Sequence, residues 1–482
     1  MKNATIFDEH CSALAHWSAN GVRDATLVCL DAHLDLQFID ETRIAQLREC
    51  STAEELAQLA SFHPLATDRS RCYGIEDFIY AAGRLGILKR LIWVAPPQVL
   101  AAGVASALRG LQQMEGVTIA DLESFRVTPG GWLEGHLLGL EIAICELPQL
   151  RLIAIEGDFV VDIDADYLVT VPDDMVWAKP QHLIAELAAR FRGNDRGLTI
   201  ARSVGSGFVP LRHRFLADYL QSLWDGDEED SDHWHGLLEM DEHLTAGRRE
   251  VALAGLRLVH RQRPGCAASC YALALATSDP QEKELYRAQA AILDGSYGND
   301  IIRLLSEFPA RRKDIDLAAV VGLRREVERI QGSGDLKALA WVALGSIYTA
   351  FGRVRDAAQC DEQSRRYGSG HPDLALQIAR LRIARGETSE AASLLDRAVN
   401  DDETRVLARL LLAECARLMG NPHEAISHAD SARLAAPAWP LALKRLAALS
   451  EDIGDGISAR RWLTECARLE SRIAAVMTSL PQ

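Results

Sequence analysis

Apolar and polar positions change rhythm partway along this chain. Up to about residue 225, runs that are apolar at nearly every position alternate with stretches that are apolar every three or four residues. "TLVCLDAH", "RLIWVAP", "EIAICEL", "FVVDIDADYLV" and "GLTIARSV" belong to the first kind and predict strands buried on both faces. "SALAHWSANG", "TAEELAQLASF", "IEDFIYAAGRLGI" and "PQHLIAELAARFRG" belong to the second and predict helices. Alternation of this kind predicts an α/β domain with a mostly parallel sheet, over residues 1–228. In such sheets ligands gather at the carboxyl ends of the strands.

Beyond about residue 230 the strand pattern stops and an Ala-, Leu- and Arg-rich helical pattern takes over. It repeats: Gly352, Gly386, Gly420 and Gly454 are spaced 34 apart, and Ala357, Ala391, Ala425 and Ala459 each follow by five. That period, with Gly at a turn and Ala at a close helix contact, is the tetratricopeptide signature. The fullest copy carries Trp341, Leu344, Gly345 and Tyr348, and Pro437 ends the third. We expect a tetratricopeptide-like superhelix over 336–482. Gly247, Ala252 and Pro264 keep the same offsets, but 265–335 fits poorly, so 229–335 reads as degenerate helical repeats.

Composition narrows the function classes. The 482 residues allow two or three domains. A net charge of −16 argues against nucleic acid, which needs clustered Lys and Arg. "MKNATIFDEHCSALAHW" lacks the apolar core of a signal peptide, and "RLIWVAPPQVLAAGV" is broken by Pro96 and Pro97, so a cytoplasmic protein is expected. Ten Cys are scattered with no CxxC pair, which argues against a zinc ribbon; Cys266 and Cys270 read as core thiols on one helix.

Two strand ends carry the candidate chemistry. Asp31, His33 and Asp35 alternate after an apolar run and would converge on one face if the backbone stayed extended. Asp162, Asp164 and Asp166 repeat the pattern. Carboxylates crowded at the end of a buried strand repel one another unless a cation balances them. With imidazole they suit a divalent metal such as Mn²⁺.

"DAHLD" followed by "DID" resembles the ureohydrolase superfamily of arginases and agmatinases. The order of "DEHCSALAHW", "IEDFIYAAGRLGILKRLIWVAP" and "DIDADYL" is closer still to the uncharacterised protein family 0489 domain, whose members include peptide arginases, over roughly residues 5–225. The resemblance implies an arginase/deacetylase-like three-layer α/β fold and two Mn²⁺ ions per chain. It implies ligands His10, Asp31, His33, Asp35, Asp162 and Asp164, with Asp166 as an alternative in the second motif. It implies an enzyme that turns arginine residues of a peptide or protein into ornithine, releasing urea. Two such ions acidify water and so supply the nucleophile for the guanidinium carbon.

The chain departs from arginases in lacking a Gly-Gly-Asp-His-Ser segment, and "GLTIARSVGSGF" carries no Glu to grip the guanidinium. Asp77 and Glu134 are candidates for that grip. Glu76, His63 and His136 are candidates for acid–base roles on the leaving amine. Free arginine needs no helical arm, so we expect the repeats to hold a peptide substrate or a protein partner. Two other readings stay open: a single-metal amide hydrolase of the related deacetylase fold, and a non-catalytic scaffold on a degenerate hydrolase domain.

Overall fold

A computed structural model describes residues 4–61, 71–101, 104–170, 174–191, 197–299, 302, 317–329, 334–367, 372–400 and 405–479. All five apolar runs form strands. In chain order the strands are β1 (Thr5–Phe7), β2 (Ala25–Leu30), β3 (Leu88–Val94), β4 (Arg126–Val127), β5 (Leu133–Leu137), β6 (Leu140–Cys145), β7 (Phe159–Asp164), β8 (Val169–Thr170), β9 (Met175–Val176) and β10 (Leu198–Ala201). Eight of them make a mostly parallel mixed sheet in the order β1-β10-β7-β2-β3-β6-β5-β4, and β8 and β9 pair separately.

Residues group into two compact units. The first holds Met1–Ala13, Cys29–Ala32 and Phe159–Gly332. Here β1, β10 and β7 run parallel, in a register that sets Thr199 opposite Asp162 and Ala201 opposite Asp164. Every residue of β10 is buried, as is every residue of β7 after Phe159. Helices follow, among them Phe215–Asp225, Glu228–Thr245 and Arg249–Gln262. Gly226 and Gly247 sit in the junctions between them with φ of +78° and +75°, a left-handed turn that costs a Cβ-bearing residue about 1–2 kcal/mol.

The second unit holds Leu14–Val28, His33–Asp158 and Ser333–Gln482. Its strands β3 and β6 pair parallel, and β6, β5 and β4 continue antiparallel. The 34-residue period becomes four helix pairs: Gly334–Ala350 with Val354–Tyr367, Pro372–Ala384 with Thr388–Ala398, Arg405–Leu418 with Pro422–Ala435, and Pro440–Asp452 with Gly456–Ser479. Gly352, Gly386, Gly420 and Gly454 join the partners with φ between +66° and +80°. Ala357, Ala391, Ala425 and Ala459 are all buried where the helices meet. Leu376, Leu395, Leu412 and Cys415 form the core between successive pairs. The repeats are tetratricopeptide-like helix pairs, as their spacing predicts.

These pairs also bind the segment that precedes β4 in their own unit. Glu115 pairs with Arg405 at 3.0 Å, the Gly116 N–H donates to Ala435 O at 2.8 Å, and Arg472 clamps both oxygens of Glu123 at 2.6 Å.

Candidate functional site

The first unit gathers its chemistry at the carboxyl ends of its strands. After β1 come Asp8, Glu9 and His10; after β2 comes Asp31; after β10 come Arg202 and Ser203. On β7, Asp162 and Asp164 are two apart on an extended strand and so share a face. Asp166 lies one step further on, in a 3₁₀ turn over Ala165–Leu168.

His10 is at the centre, with 1% of its surface exposed. Its Nε2 meets Asp162 Oδ2. Its Nδ1 lies 3.1 Å from Asp31 Oδ2 and 3.3 Å from Asp164 Oδ2. Asp31, Asp162, Asp164 and Asp166 are all buried. Thr199 donates its hydroxyl to Asp162 Oδ1, as their sheet register requires. Ser203 Oγ donates to Asp164 Oδ2 at 2.5 Å, and the Asp166 N–H donates to Asp164 Oδ1 at 3.0 Å. The Ala32 N–H donates to Asp166 Oδ1 at 3.2 Å. Ser203 holds φ of +50°, a strained backbone for a residue with a side chain, and strain of this kind collects at functional positions.

Glu9 lies beside this cluster and is buried. Its Oε1 accepts the Ser206 N–H at 3.0 Å, while Oε2 has no hydrogen-bond partner among the described residues. A Cβ on Gly205 would fall 2.5 Å from Glu9 Oε1, so a larger residue there would push the carboxylate aside.

Burial raises the Glu9 carboxyl to about 8, opposed by the Ser206 hydrogen bond and reinforced by Asp164. Burial, then the neighbouring Asp166 charge, raise Asp164 to about 7. Buried carboxyls held this close cannot all stay ionised without a counter-cation. Within the first unit, two groups have the donor chemistry for a divalent ion: His10 with Asp31 and Asp164, and His10 with Cys29 and Asp162. In each, the three ligand atoms lie within 4.8 Å of one another. Imidazole nitrogen with carboxylate oxygen suits Mn²⁺ or Zn²⁺, so the residues fit such an ion.

The expectation that Asp31, His33 and Asp35 share one face of an extended strand is corrected. The strand β2 ends at Leu30, the chain bends at Ala32–His33, and Asp35 takes φ of +48°. His33 and Asp35 belong to the second unit. Asp77 precedes the helix Phe78–Arg84, and its carboxylate accepts the Gly74 N–H at 2.7 Å. Glu76, beside it, gives its carbonyl to the Gln37 N–H. Glu134 and His136 are both on β5, in an antiparallel hairpin. Glu134 accepts from Trp132 Nε1 at 2.8 Å and pairs with Arg90 and Arg126. His136 is exposed. His63 lies outside the described residues.

The sequence reading missed Thr199 and Ser203. Thr199 had one legible signal, a lone polar residue inside the apolar run "GLTIA".

No protein-family model and no curated protein matches the chain. Solved structures that align include a crystal structure of MamA (16% identity, 35% of this chain and 96% of that one, TM-score 0.31). Another is YrrB, a TPR protein with an unusual peptide-binding site (16% identity, 46% and 96%, TM-score 0.26). A third is the APC/C hetero-tetramer Cut9–Hcn1 (12% identity, 66% and 62%, TM-score 0.28). At such scores these likenesses carry no argument about function. Among the described residues no helix is long and apolar enough to cross a membrane.

Proposed function

We propose that this protein is a metal-dependent ureohydrolase that converts arginine residues of a peptide or protein to ornithine. The observation that carries the reading is the convergence of His10, Asp31, Asp162 and Asp164, all buried, at the carboxyl ends of neighbouring strands. The motif order "DAHLD" then "DID" supports the arginine side chain as the target.

His10, Asp31, Asp162 and Asp164 would hold the divalent ions, Mn²⁺ being the metal the resemblance implies. Bound there, divalent ions acidify water and polarise the carbon it attacks. The chain's own groups do the rest. Thr199 and Ser203 fix the orientation of Asp162 and Asp164 through single hydrogen bonds. The buried setting strengthens every charge–charge interaction inside it. Hydrolysis adds water to the guanidinium carbon, breaks its bond to the side-chain Nε, and leaves urea and the ornithine amine. The helical repeats would recruit the peptide that carries the arginine, or a protein partner.

The test is urea release from arginine-containing peptides by Mn²⁺-loaded protein, beside free arginine and beside Asp164→Ala. Release from peptides, abolished by the substitution, is expected. No release from any peptide or from free arginine by metal-loaded protein would sink the reading.

A further inference from the structure

Cys29 lies on β2 and Asp31 just past its end at Leu30, while Asp162 and Asp164 are two apart at the end of β7. Asp162 and Asp164, two apart on a strand, share a face, and their contacts with the two nitrogens of His10 give the cluster two levels. Asp31 and Asp164 face His10 Nδ1; Cys29 and Asp162 lie one step deeper, and Asp162 meets Nε2. At the deeper level Cys29 Sγ lies 3.9 Å from Asp162 Oδ2. The His10 nitrogen, Cys29 sulfur and Asp162 oxygen are within 4.8 Å of one another, and all three residues are buried. Metal bonds of about 2.0–2.3 Å put the donors around one tetrahedral ion about 3–4 Å apart, which these side chains reach with small movements. The chain has ten cysteines, yet no other described one joins a group of this kind.

We infer that Cys29 is a thiolate ligand to the divalent ion held by His10 and Asp162. It makes the deeper position favour thiophilic ions such as Zn²⁺, Co²⁺ or Cd²⁺ over Mn²⁺. The inference rests on the metal-centre reading above and names the ion class that reading leaves open. On binding, the Cys29 S–H bond breaks, a sulfur–metal bond forms and the proton passes to solvent, with no change of oxidation state. Carboxylate and imidazole accept Mn²⁺ readily, whereas thiolate selects softer ions.

The test uses the full chain, stripped with a chelator and reloaded with Co²⁺. Visible Co²⁺ bands report binding whatever the ligands; a near-ultraviolet sulfur-to-cobalt charge-transfer band reports a thiolate. Wild type is expected to show both. Cys29→Ser, or Cys29→Ala if the serine variant does not fold, should keep visible bands and lose the charge-transfer band. Its Cd²⁺ affinity relative to Mn²⁺ should fall by at least about tenfold. Visible bands in wild type without charge transfer, or a charge-transfer band that survives the substitution, overturn the Cys29 assignment and leave the metal centre standing. No Co²⁺ uptake by wild type overturns the metal centre, and the Cys29 assignment with it.

Discussion

Asp162 accepts a hydroxyl from Thr199, meets His10 Nε2 and lies within reach of Cys29. Removing the Thr199 donor leaves a buried carboxylate less satisfied, at a cost of about 1–3 kcal/mol. Thr199→Val is therefore expected to lower the melting temperature and weaken metal retention together. A drop in stability with metal affinity untouched would confine Thr199 to a structural role. The carboxyls also make a pH prediction. Asp164 is raised from 3.8 to about 7 and Glu9 from 4.5 to about 8, so the metal-free fold binds protons that the unfolded chain has released. Stability then falls as pH rises, here between about 4 and 8. Thermal melts of metal-free protein should show that slope, and a saturating divalent ion, taking the place of the protons, should flatten it. Much of this cluster was legible, because acids ending an apolar run have few structural uses. The inward layer was not: Ser203 reaches the site through loop geometry that no local pattern encodes. Nor did strand alternation extend past Leu30, since Ala32–His33 bend and Asp35 adopts a left-handed backbone.

At the scale of elements, the repeating glycines were the most readable feature of the chain. Each ends a helix with a left-handed residue, a demand that only glycine meets without strain. Gly420→Ala meets no neighbouring atom, so its cost is backbone strain alone, about 1–2 kcal/mol. Denaturation should show that loss with metal content unchanged. Gly345→Ala differs in kind, since its Cβ would lie 2.8 Å from Leu374 Cδ2 in the neighbouring pair and must displace it. The short edge elements were harder to read. The three residues of β1 are too few to show a period, yet they lead directly to Glu9 and His10. The β5–β6 hairpin took Glu134 into pairing with Arg90 and Arg126, a partnership set by strand register that "GGWLEGHLLG" does not advertise.

For the whole molecule, the compact units cut across the sequence. The last four helix pairs share a unit with β3 to β6, and Arg405, Arg472 and Ala435 tie them to Glu115, Glu123 and Gly116 in the segment before β4. A chain ending near residue 332 would lose these bonds and bare apolar surface, so it should melt earlier and less cooperatively than the full chain. A truncated protein that melted as sharply as the full one would show that these helices contribute little to folding. The central claim concerns the first unit's cluster, and elemental analysis of the purified full chain tests it most directly, with folded Asp31→Ala and Asp164→Ala alongside. About two divalent ions per chain, lost in both variants, is the expected result. A wild-type protein with no bound metal, and no rise in melting temperature on adding Mn²⁺, Zn²⁺ or Co²⁺, would contradict the account.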